Sequence, residues 1–165
     1  MIFVTVGTHE QPFDRLIRYI DNLKCNGVIN EEVIIQTGFS TYEPKYCEWT
    51  NFLTYKQMKE NILKANIVIT HGGPASFFMP LQIGKVPIVV PRRYDYNEHV
   101  NNHQVEFIKE VSNRIGMIIP VINIDDLKEK ISCYDEIVSH MNNNMRSNNE
   151  KFNLQFDEII NKLFI

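Results

Sequence analysis

The sequence is short of several things. Only three cysteines occur in 165 residues, Cys25, Cys47 and Cys133, too few and too scattered for a disulfide framework or a zinc ribbon. They read as reduced thiols of a cytoplasmic protein. No surplus of positive charge exists: 17 Lys+Arg stand against 20 Asp+Glu, for a formal net charge of -3, which argues against a nucleic-acid partner held by bulk electrostatics. No apolar run approaches the roughly 20 residues of a membrane-spanning helix. The opening segment MIFVTVGTHEQ has neither a basic start nor a small-residue cleavage site, so it reads as a first strand rather than a secretory leader. No G-x-S-x-G elbow or Gly-Lys-Ser/Thr phosphate loop is found.

What remains is a chain of one-domain length with 44% hydrophobic residues, enough for a core. Short β-branched runs alternate with helical periodicity. Strands are expected at 2–6, 32–36, 49–53, 66–70, 87–90 and 116–120. Helices are expected at 12–23 (Phe13, Leu16, Ile17 and Ile20 inward), 55–65 (Met58, Ile62 and Leu63 inward), 74–84 and 98–111. A short helix capped by Asp125 and Asp126 should run to Ile131. Strand-helix alternation with nearly continuous apolar strands implies an α/β fold, a mostly parallel Rossmann-like sheet with helices on both faces. Residues 1–134 form the expected domain. Residues 135–165 form an Asn-rich, then amphipathic helical tail (Phe152, Phe156, Ile159, Ile160, Leu163, Phe164) that packs on the domain or a partner.

Ligands of open α/β sheets sit beyond the carboxyl ends of the strands, and three loops there are unusual. Gly7-Thr8-His9-Glu10 offers a glycine for close backbone approach, a hydroxyl and a proton-transfer group. In His71-Gly72-Gly73-Pro74-Ala75-Ser76, two glycines lead into a helix with proline in its first turn. The amides of Gly72, Gly73 and Ala75, with His71 and Ser76, form a candidate cradle for a diphosphate. The stretch from Pro91 to Gln104 brings Arg92 and Arg93 for phosphate, and Glu98, Asn102, His103 and Gln104 for sugar hydroxyls. His99 and His103 are four apart, but no third ligand is obvious and no metal is expected.

At these loops the chain resembles the C-terminal, donor-binding domain of the GT-B glycosyltransferases of family 28. It is similar to the soluble subunit of the eukaryotic two-part UDP-GlcNAc transferase and to the PssE-type subunits of bacterial exopolysaccharide and capsule synthesis. MIFVTVGTHEQPFDRLI, IVITHGGPASFF, GKVPIVVPR and EHVNNHQ carry the likeness. It implies that Gly7, Thr8 and His9 face the donor, with Gln36, Thr37 and Gly38 near the same cleft. It places Phe52 and Leu53 at the uracil ring, His71, Gly72, Gly73 and Ser76 at the phosphates, and His103 and Gln104 at the sugar. Met79 stands where many members carry a ribose-binding glutamate.

The resemblance implies an inverting, metal-independent transfer of a hexose from a UDP-sugar co-substrate to a lipid-linked saccharide, galactose favoured over glucuronic acid and GlcNAc. His9, then Glu10, is the candidate base. A membrane-anchored PssD-type partner subunit would supply the acceptor side and recruit the chain to the inner membrane face. The alternative is a non-catalytic UDP-sugar-binding subunit that enhances a partner transferase.

Overall fold

The computed structural model describes residues 1–145, apart from the side chains of residue 115 and residues 142–145. Six strands, β1 (Ile2–Thr5), β2 (Val33–Gln36), β3 (Glu48–Thr50), β4 (Ile67–His71), β5 (Ile88–Val90) and β6 (Ile119–Pro120), form one sheet in the order β3-β2-β1-β4-β5-β6, with every pair parallel. The crossovers run through α1 (Asp14–Cys25), α2 (Tyr55–Lys64), α3 (Pro74–Gln82) and α4 (His103–Ile115). Then follow α5 (Leu127–Ser132) and α6 (Tyr134–Met145). The expected Rossmann-like sheet is what the chain forms.

The order reverses between β1 and β4, so their carboxyl ends flank the crevice where such sheets take ligands. Thr5 pairs with Gln36 on one side and Thr70 on the other, which sets the loops after β1, β2 and β4 side by side.

Phe3 and Val68, paired across β1 and β4, pack with Ile62 and Ala65 of the α2 region. The side-chain alternation of a strand turns Val4 and Ile69, both 0% exposed, to the opposite face. Phe77, Val89, Ile108, Val111 and Ile118 join α3, β5 and α4. In α1, Leu16, Ile17 and Ile20 are buried, as their spacing predicts. Leu63 departs from expectation: it is 53% exposed, and α2 packs through Ile62 with Met58 at the edge.

Three boundaries shift for identifiable reasons. The helix expected from Glu98 starts at His103. Asn97 adopts a left-handed φ of 57°, and the Glu98 carboxylate is drawn away to accept from Arg15 and from the Arg93 amide. The third strand is Glu48–Thr50 rather than 49–53. The cap near Asp125 is Asn123, whose side chain accepts the Asp125 amide at the head of a short 3-10 turn, Ile124–Asp126. The loop between β2 and β3 hangs on two aspartates of α1. Asp14 accepts from Thr41 and Tyr42, and Asp21 from the Tyr42 hydroxyl and the Lys45 and Tyr46 amides.

Met1–Ser132 and Cys133–Ile165 are two separate compact units. In the second, α6 covers the first part of the expected tail; Phe152, Phe156, Ile159, Ile160, Leu163 and Phe164 lie outside the described residues.

Candidate donor site

His71 is the last residue of β4, and its ring is sandwiched between two loops. A Cβ on Gly7 would lie 2.4 Å from His71 Nε2, and one on Gly73 would lie 2.2 Å from Cε1. Gly7 also holds φ at 74°, which L side chains resist. These glycines are thus required by an imidazole of the protein itself, not by a ligand, and the same ring locks the two loops together.

The hydrogen bonds fix the tautomer. The Gly73 amide donates to His71 Nδ1 at 3.0 Å, so the proton sits on Nε2 and is given to Ser76 Oγ at 2.7 Å. The Ser76 hydroxyl hydrogen is therefore turned away from the histidine and stays available to another acceptor. Burial first, then the nearby Arg92 guanidinium and the rings of His9 and His99, pull the His71 pKa down to about 3, against an opposing hydrogen bond with Gln104. His71 is neutral at pH 7 and works as a fixed dipole.

Of the three amides expected to grip an anion, two have internal acceptors. Gly72 donates to Gln104 Oε1 at 3.1 Å, and Gly73 to His71. Pro74 has no amide hydrogen, and Ser76 N turns back to Gly73 O. Among the described residues no acceptor meets the Ala75 amide, so Ala75 N–H and Ser76 O–H are the donors left at this helix start.

The charged groups of the third loop are likewise used internally. Arg92 is 0% exposed; its guanidinium donates to the carbonyls of Val6, Gln11 and Glu98 and lies over the Phe13 ring. Burial lowers its pKa to about 10 against the pull of Glu98. Glu98, 3% exposed, takes a two-pronged contact from Arg15 at 2.8 Å. Neither group is free for a phosphate or a sugar. Gln104 Oε1 also accepts the Arg92 amide, at 3.0 Å, and so ties the end of β5 to the loop after β4. Asn102 holds the Tyr94 amide. His103 is exposed beside Glu106.

Gln36, Thr37 and Gly38 act as scaffold. Thr5 Oγ1 and Gln36 Oε1 bond each other, Gln36 Nε2 reaches Gly7 O, and Thr37 and Gly38 donate amides to Thr50 and Asn51. Phe52 is 47% exposed and meets Phe39 edge to face at 5.1 Å, whereas Leu53 packs against the core.

Thr8 and Glu10 are exposed at the first loop, and His9 sits between them. His9 Nε2 donates to Gln11 Oε1 at 3.0 Å, which leaves Nδ1 as a bare acceptor, and its ring stacks on His99 at 4.8 Å. His99 lies outside α4, so it and His103 do not share a helix face. Among the described residues no three His, Cys, Asp or Glu side chains converge as a metal site. A groove of about 480 Å³ opens beside these loops, between Gly72–Pro74 and the side of α4 that carries His103, Phe107 and Glu110.

The fold agrees with comparisons to known proteins. The glycosyltransferase family 28 C-terminal domain matches residues 1–163. The chain belongs to that family. It is 37% identical over 120 residues to the human "UDP-N-acetylglucosamine transferase subunit ALG13", and 24% identical over 135 residues to the subunit of that name from Yarrowia lipolytica (strain CLIB 122 / E 150). These matches cover 67% and 72% of this chain, but 10% of the human protein and 64% of the yeast one. A solved structure, the glycotransferase of kitacinnamycin, superposes with a TM-score of 0.56 at 14% identity over 88% of this chain and 39% of its own, which shows a shared fold.

Met79, where the resemblance leads one to expect a ribose-binding glutamate, is turned inward. Its side chain packs with Phe3, Ile62 and Val68 on the core side of α3. Sequence reading missed the supporting residues Gln11, Arg15 and Phe39, and weighed His99 only as a metal ligand. Arg15 and Gln11 carry no local signal, because their partners lie 83 and 81 residues away.

The histidine has a consequence for stability. Unfolded, it titrates near 6.5; folded, near 3. Between these values the unfolded chain binds the extra proton, so stability present above pH 6.5 is lost as pH falls toward 3. Burial shifts His99 in the same direction. The hydrogen bonds that lower Asp14 and Asp21 despite burial act only below the ordinary 3.8. Chemical denaturation between about pH 4.5 and 6.5 should thus show a stability slope that is shallower in His71→Gln.

Proposed function

We propose that this chain is the UDP-sugar-binding subunit of an inverting, metal-independent glycosyltransferase, completed by a second polypeptide that presents the acceptor. The observation that carries this reading is the opening of α3 at the switch point of the sheet. There a neutral histidine donates to Ser76 Oγ and leaves that hydroxyl hydrogen unused, close in sequence to the uncommitted Ala75 amide at the positive end of the helix. A diphosphate fits that pattern, and the exposed Phe39–Phe52 pair offers an apolar seat for the base.

In this mechanism the acceptor oxygen attacks the anomeric carbon as the bond to UDP breaks. The electron pair leaves on the β-phosphate, stabilised by Ala75 N–H, Ser76 O–H and the positive end of α3. The acceptor proton passes to His9 Nδ1, with Glu10 as the second candidate. Arg92, Glu98, Gln36 and Gln104 hold the loops that place these groups.

The partner is inferred from the relatives, whose names call them subunits of a UDP-N-acetylglucosamine transferase. Among the described residues no helix is long and apolar enough to cross a membrane. We assign membrane attachment, and capture of a lipid-linked saccharide, to a PssD-type partner working in exopolysaccharide or capsule synthesis. The transferred unit is a hexose, and galactose is the first to test, with GlcNAc beside it because of the relatives' names. Full chain mixed with the partner should release UDP from a UDP-hexose in the presence of acceptor, while either protein alone should not. Turnover by the partner alone, unchanged by His9→Ala or His71→Ala in this chain, would instead make the chain a non-catalytic stabiliser.

A further inference from the structure

The groove beside the α3 opening is electrically lopsided. At one end are Gly73 and Pro74, where the uncommitted donors and the helix dipole gather. Along α4 the lining changes to Glu106, Phe107 and Glu110, one and two turns beyond His103. No lysine or arginine lines it. Burial lowers the His99 pKa further, so that imidazole brings no lasting positive charge at pH 7, and His103 sits 3.7 Å from the Glu106 carboxylate. Glu110 has one ion pair, with Arg114 one turn on, itself exposed. Phe107 is 36% exposed and its ring leans on Phe77, so an apolar face stands beside the two carboxylates in the groove lining.

Carboxylates that accept hydroxyl hydrogens, set around an aromatic face, suit a sugar ring. The same carboxylates oppose any negative charge placed there. Resting on the donor-site reading above, we infer that this groove selects a donor whose sugar is neutral, and that its polarity orients the molecule. The diphosphate lies at the α3 opening and the hexose at the Glu106–Glu110 end, so a uronic acid is rejected.

UDP-glucose and UDP-glucuronate make a clean pair of probes, because they differ only in CH2OH against carboxylate at C6. Calorimetric titration of the full chain should show UDP-glucuronate binding about tenfold more weakly than UDP-glucose, the scale of a like-charge contact in a surface cleft, and the gap should narrow as salt is raised. In the Glu106→Gln, Glu110→Gln double variant the gap should fall below about twofold, with UDP itself bound as before. Both positions are on the solvent side of α4, and a thermal melt will show that the variant is folded. UDP-glucuronate bound as tightly as UDP-glucose, or a gap that survives the double substitution, would overturn the inference while leaving the diphosphate site standing. Failure of UDP to bind at all would sink both.

Discussion

Replacing His71 with alanine is expected to lower the specificity constant for the UDP-sugar at least about 100-fold, the scale seen when a fixed donor to a developing oxyanion is removed. The ring does three things at once. It accepts the Gly73 amide, it donates to Ser76 Oγ and so frees that hydroxyl hydrogen, and it fills the space that Gly7 and Gly73 leave open. Without it Ser76 is free to turn inward and the two loops lose their common contact. The loss should appear in UDP affinity as well as in turnover, because the leaving group and the bound product use the same donors. Steady-state kinetics with a UDP titration checks this, and a His71→Ala chain that keeps full activity and UDP affinity would show that the loop does not hold the phosphates.

Arg92→Met should be the most damaging single change for the fold, costing about 3–5 kcal/mol. Three carbonyls, those of Val6 and Gln11 in the loop after β1 and of Glu98 in the loop after β5, would lose their donor in a largely buried region. Glu98 would keep Arg15 but lose a nearby cation. At this chain length the melting temperature should fall by roughly 10 °C, with about 2–4 °C for each kcal/mol. Arg92→Lys should recover little, since one ammonium cannot span the carbonyls that a planar guanidinium bridges. A variant melting within about 2 °C of the parent would remove Arg92 from its place under the site.

The contrast between these residues shows how far the sequence could be read. The sheet was legible because its strands are continuous apolar runs and its helices repeat at the helical period. The position of the His71 loop followed from the rule that ligands meet strand ends. The division of labour within the site was not legible. Arg92, Glu98, Gln36 and Gln104 look from sequence like groups waiting for a phosphate or a sugar. In the fold each is matched to a partner far along the chain, such as Val6 O to Arg92 or Arg15 to Glu98. Burial turns a charge into scaffold, and burial at a loop depends on which other loops the topology brings beside it. The glycine of the first loop misleads in the same way, because nothing local reveals that the atom crowding Gly7 belongs to His71, far along the chain. Leu63 and the start of α4 were misjudged for a smaller reason: helical periodicity does not record where a left-handed residue or a side-chain bond interrupts it.

The placement of a diphosphate at the start of α3 is tested most directly by comparing UDP with uridine. Titrated into the full chain, UDP should bind measurably and uridine at least about tenfold more weakly, and Ser76→Ala should weaken UDP severalfold while leaving uridine unchanged. Equal affinities for the two ligands, or a Ser76→Ala chain that binds UDP as the parent does, would contradict it.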